Sequence, residues 1–182
     1  YNQGLITPEE EQRQKEQRQK EFDDFCNYET FRTQAHELVT NYIENGRKDW
    51  TAFGLSKDGH FNIYMNRYFA EIFDLREIDE ESARKHIEDK EGYDYFRLIQ
   101  CAEILFGRRE KRDIKPEVEA GLCETAKKVL DNILKGQRYS DDRIRQAAIQ
   151  FLISGKVTLA DDELIKLLKF SHECISGEMD ML

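Results

Sequence analysis

Tyr93-Asp94-Tyr95-Phe96-Arg97-Leu98-Ile99-Gln100-Cys101-Ala102-Glu103-Ile104-Leu105-Phe106 is the stretch whose reading decides the fold. At about 100° per residue its apolar side chains fall on both sides of a helix. Leu98, Ala102, Leu105, Tyr95, Ile99 and Phe106 make one broad arc, while Cys101, Ile104 and Tyr93 point the other way. A helix with two apolar sides has to be covered on both, so residues 93–106 are expected to form the central buried helix of a helical bundle. Gly92 and Gly107 bracket it. That is an architecture, and one packing scheme hosts many unrelated activities.

Outward from this stretch, composition supports the same class. The chain has 182 residues, of which 36% are charged, with two prolines and ten glycines. Such a composition favours long solvated helices over a turn-rich sandwich. The expectation is an all-α, single-domain bundle of six or seven helices over residues 22–182, preceded by a polar helical arm over 1–21. The arm starts at Thr7-Pro8-Glu9-Glu10, which has a capping hydroxyl, a proline for the first helical position and a glutamate three residues after the threonine. From Glu9 to Glu21 no residue is apolar, and Gln-Arg-Gln-Lys-Glu occurs twice in succession, at 12–16 and 17–21. This part has no face to bury.

From Phe25 the pattern changes. Phe25, Tyr28, Phe31, Ala35, Leu38, Val39, Tyr42 and Ile43 share one arc, which predicts an amphipathic helix ended by Asn45-Gly46. Phe61, Tyr64, Met65, Tyr68, Phe69, Ile72 and Phe73 hold the helical period and predict another; the alternative is a short β-hairpin near 50–65, turned at Asp58-Gly59. Asp79 to Asp89 reads as a short charged helix with Ala83 and Ile87 to bury. After Lys115-Pro116, the residues Val118, Leu122, Cys123, Ala126, Val129, Leu130, Ile133 and Leu134 line one face up to Gly136. Ser140 is the expected cap of a helix to Ile153, stopped by Ser154-Gly155. Thr158 and Asp161 introduce the last helix, with Leu164, Leu167, Leu168 and Ile175 as its stripe.

The chemistry-bearing residues give few signatures. Cys26, Cys101, Cys123 and Cys174 lie far apart in helical patterns without a C-x-x-C pair, so they read as reduced core thiols. No metal site is expected: His172-Glu173-Cys174 places its two ligands about 200° apart on a helix, and His36 and His86 read as structural or solvated. G-x-S-x-G, P-loop and G-x-G-x-x-G patterns do not occur, so no cofactor is expected, and an enzyme with dispersed catalytic residues ranks behind a binding protein. The net charge of -9 argues against general nucleic-acid or anionic-membrane binding and for a partner protein with a basic surface. No run of about 18 apolar residues is available to span a membrane, and a cytoplasmic setting is expected.

Two groups of candidate binding residues remain. Trp50, the only tryptophan, and Tyr64 belong to an aromatic-rich region whose apolar arc is wider than one neighbouring helix covers. Arg108, Arg109, Lys111 and Arg112 form a basic run, 108–115, suited to phosphates or simply to the dipole of the helix before it. A helix-turn-helix over Ile144 to Lys169 would put Asp161-Asp162-Glu163 where DNA contacts are made, which repels phosphate. The leading expectation is therefore a non-enzymatic protein-binding module: an adaptor, an inhibitor or a subunit of a larger assembly. A nucleic-acid-associated regulator using the basic run or the last two helices comes second.

Overall fold

A computed structural model describes residues 4–44, 80–107 and 112–179. Among these the fold is all-α: seven helices and no strand. In chain order they are α1 (Pro8–Phe25), α2 (Tyr28–Glu44), α3 (Glu80–Glu88), α4 (Lys90–Phe106), α5 (Pro116–Leu134), α6 (Asp142–Ile153) and α7 (Asp161–Met179). The hairpin considered near 50–65 and the helix expected from Phe61 lie outside the described residues. The chain divides into two compact units, Tyr1–Tyr93 and Asp94–Leu182, so α4 gives its first turn to one and the rest to the other.

In the first unit, α1 begins as its sequence requires. The Thr7 hydroxyl accepts a hydrogen bond from the Glu10 N–H at 3.2 Å, Pro8 occupies the first turn, and Glu9, Glu10 and Glu11 face the positive end of the helix dipole. Up to Lys20 this helix buries no side chain. Its own surface pairs hold it instead: Gln12 donates to Glu16 at 2.9 Å, Gln17 to Glu21 at 2.8 Å, and Lys15 meets Glu11 at 3.3 Å, all four residues apart. Phe22 and Phe25 then bury completely and end the arm.

The helix expected to start at Phe25 starts later, because Asn27 breaks the chain between α1 and α2. Its side-chain oxygen accepts from the N–H groups of Glu29 and Thr30 at 3.1 and 3.3 Å, satisfying donors that a helix start otherwise leaves orphaned. Beyond it Phe31, Ala35 and Val39 are buried, as their spacing requires, and α2 packs on α1 and α3. Ile87 of the charged helix α3 is buried, and the side chain of Ala83, also expected to bury, lies outside the described residues. Tyr93 completes this core. Its ring centroid lies 4.6 Å from that of Phe31, 4.9 Å from Tyr28 and 6.3 Å from Phe25, and its hydroxyl donates to the Phe25 carbonyl.

In the second unit the two-sided reading of α4 holds. Leu98 and Ala102 are buried on one side and Cys101 and Ile104 on the other. Gln100 is buried with them. The α5 stripe of Leu122, Ala126, Val129 and Leu130 is fully buried, with its most extensive packing against α6, where Ala147, Ala148 and Phe151 are buried. Phe106 meets Phe151 edge to face at 5.2 Å, and Tyr95 meets Tyr139 at 5.5 Å. Gly136 and Gly155 close α5 and α6 with φ of 88° and 77°, a backbone that side chains with a Cβ avoid.

The cap of α6 is Asp141 and not Ser140. Both residue types cap well, but the Asp141 carboxylate accepts the Arg143 N–H at 3.0 Å and also the Arg143 guanidinium, at 2.8 Å for the shortest contact. Those hydrogen bonds from Arg143 hold the Asp141 carboxyl below its ordinary range, against an opposing effect of burial.

Candidate functional site

Of the residues singled out for binding, Trp50, Tyr64, Arg108, Arg109 and Lys111 lie outside the described residues. Arg112 is described and partly exposed, in the irregular segment that leads to Pro116 at the start of α5.

The second unit carries an open groove of about 730 Å³ along α5 and the connection from α6 to α7. Cys123, Lys127 and Asp131 recur every fourth residue of α5, so one side of the helix forms a wall, and Lys156 and Thr158 approach from the connection. Lysines this close together would make an anion cradle if their charges were available. Two of the groove's lysines, Lys127 and Lys156, are compensated, while Lys128 and Lys135 also line it. Lys127 lies 2.7 Å from Asp131 and 3.7 Å from Glu163 of α7, and Lys156 lies 2.5 Å from Glu119. The hydrogen bond to Asp131 raises the pKa of Lys127, so this ammonium stays charged and is unsuited to act as a base.

Cys123 is a nucleophile candidate in the groove. Burial first, and then the neighbouring Glu119 carboxylate, push its thiol above the ordinary range, while Lys156 opposes them. A thiol shifted upward carries less thiolate and is a poorer nucleophile. Two ion pairs strap the walls of the groove: Lys127 ties α5 to α7, and Lys156 ties the connection back to α5.

Among the described residues no three His, Cys, Asp or Glu side chains converge as a metal site would require. His36 is partly exposed and His86 exposed, while the side chains of His172, Glu173 and Cys174 lie outside the description. Cys26, Cys101 and Cys123 form no disulfide among the described residues. No helix among the described residues is long and apolar enough to cross a membrane.

Apolar surface remains at α7, where Ile165 is 55% and Leu168 68% exposed. The sequence placed Leu168 on the stripe to be buried, but α7 has its main contact with α5, which leaves Leu164 and Leu167 half-buried and turns Leu168 outward. Ile165 was missed because a lone isoleucine beside a leucine stripe looks like the stripe's edge. Comparison of the chain with protein-family models, with curated proteins and with solved structures found no match.

Proposed function

We propose that this chain is a non-enzymatic protein-binding module, an adaptor, inhibitor or subunit of a larger assembly, that meets a partner protein with a basic surface through its acidic helices. The aromatic-rich region, with Trp50 and Tyr64, supplies the apolar centre of the contact, where buried aromatic anchors carry most of the energy. The observation that carries this reading is α1, a helix that has no fully buried side chain from Pro8 to Lys20, with only Gln14, Arg18 and Gln19 half-buried, yet is capped at its start and fixed to a core at its end by Phe22 and Phe25. An isolated helix of such length is marginal in water, and a polar one that keeps most of its side chains exposed offers its surface to something else. The net charge of -9 favours a basic partner, with charge acting mainly on the rate of encounter. Cysteines without a disulfide among the described residues suit a reducing, cytoplasmic setting.

The nucleic-acid reading through the last two helices has less support. In a helix-turn-helix the second helix packs across the first, whereas α7 has its main contact with α5, and Asp161 and Asp162 are exposed at its start. The basic run at 108–115 is its remaining basis.

Deleting residues 1–20 tests the role of the arm. The truncated chain is expected to melt within about a degree or two of the full chain, since it loses almost no buried apolar surface, and to capture less of the partner from an extract of the source cell. Loss of cooperative unfolding would make the arm a folding element, and undiminished capture would show that it is not a docking element.

A further inference from the structure

The outer face of α7 is patterned for contact with another copy of itself. Asp161, Ile165, Leu168 and Lys169 fall within an arc of about 100°, with Asp162 just beside it. All five are exposed. Glu163 points the other way, to Lys127 of α5, and Leu164 and Leu167 are half-buried, so the arc is the face left after α7 has docked on its own unit. Asp161, Asp162 and Lys169 make no ion pair among the described residues. Over residues 161–169 the face therefore runs along the helix axis from negative charge, through an apolar centre, to positive charge.

A stripe of this order is complementary to its own reverse. Two copies of α7 crossing antiparallel about a two-fold axis near Ile165 and Leu168 bring Asp161 and Asp162 of each within a turn of Lys169 of the other, and stack the apolar centres against one another. A parallel pairing would oppose like charges, and a foreign partner would have to present the same sequence of charges in reverse. We propose that α7 is a self-association surface through which two copies of this chain form an antiparallel, two-fold dimer, separate from the arm and the aromatic-rich region assigned to the partner protein. One helix-on-helix contact falls at the low end of stable interfaces, below about 1,200 Å² in total, so the dimer is weak, with a dissociation constant of about 1 μM to 1 mM.

Sedimentation velocity of the full chain from about 1 to 500 μM tests this. The sedimentation coefficient is expected to rise with concentration from the monomer toward the dimer. Ile165→Asp should raise the dissociation constant about thirtyfold or more, with circular dichroism unchanged. Two charge variants keep the test independent of that one residue. Asp161→Lys/Asp162→Lys makes the stripe wholly positive and Lys169→Glu makes it wholly negative; each alone should associate less than the parent chain, and the two mixed in equal amounts should associate more than either. A chain that stays monomeric throughout the range overturns the proposal. So does a dimer that neither Ile165→Asp nor the charge variants weaken, because it would form through another surface.

Discussion

Replacing Tyr93 by alanine is expected to destabilise the first unit by about 3–5 kcal/mol, the range for removing a buried aromatic ring. The residue is 0% exposed and lies among Phe25 at the end of α1 and Tyr28 and Phe31 at the start of α2. Its loss opens a cavity where three elements meet. The hydroxyl adds a separable part. It donates to the Phe25 carbonyl, one of the last-turn carbonyls that a helix leaves without an intrahelical donor. Tyr93→Phe keeps the ring and removes that hydrogen bond, and should cost about 0.5–1.5 kcal/mol. Urea unfolding followed by circular dichroism would measure both. A loss below about 1 kcal/mol for the alanine variant would mean that the core of this unit lies elsewhere.

Gln100→Met is expected to stabilise the chain by about 1–3 kcal/mol. Gln100 is 1% exposed on α4, and neither its amide nitrogen nor its carbonyl oxygen has a hydrogen-bond partner among the described residues. A buried amide without partners loses its hydration with nothing in exchange, whereas methionine has similar length, adapts its shape and has no such group to desolvate. The sign is the informative part, because most core substitutions destabilise. A loss of more than about 1 kcal/mol would show that the amide is held by a buried water, which the apolar variant cannot bind.

Much of this fold was legible because its cores are periodic. Residues 93–106 declare a helix covered on two sides, and the sequence before Phe22 declares a helix with nothing to cover. The break between α1 and α2 was hidden, since Phe25, Tyr28 and Phe31 keep a three-residue spacing straight through it. The signal was Asn27, a capping residue set inside an apolar period. Ser140 and Asp141 are equivalent as caps in sequence, and the choice falls to Arg143, whose hydrogen bonds only the carboxylate can collect. The burial of Gln100 could not be seen, because glutamine is a good helix former wherever it sits and its cost arises only from what surrounds it. The basic run was visible as charge, but charge on a sequence does not say what compensates it, as Lys127 and Lys156 illustrate.

The proposed mode of action is tested most directly by the affinity of the captured partner protein for two variants of the full chain. One carries Trp50→Ala; the other carries Arg108→Gln, Arg109→Gln and Arg112→Gln together. An aromatic anchor at the centre of a contact is worth about 2 kcal/mol or more, whereas charges beside an interface act mainly on the rate of encounter. Trp50→Ala should therefore weaken binding about thirtyfold, well beyond the triple neutralisation, with circular dichroism unchanged in both. The reverse ranking, together with an affinity for DNA or RNA that falls steeply between low and physiological salt, would contradict the protein-binding reading and assign the basic run to phosphates.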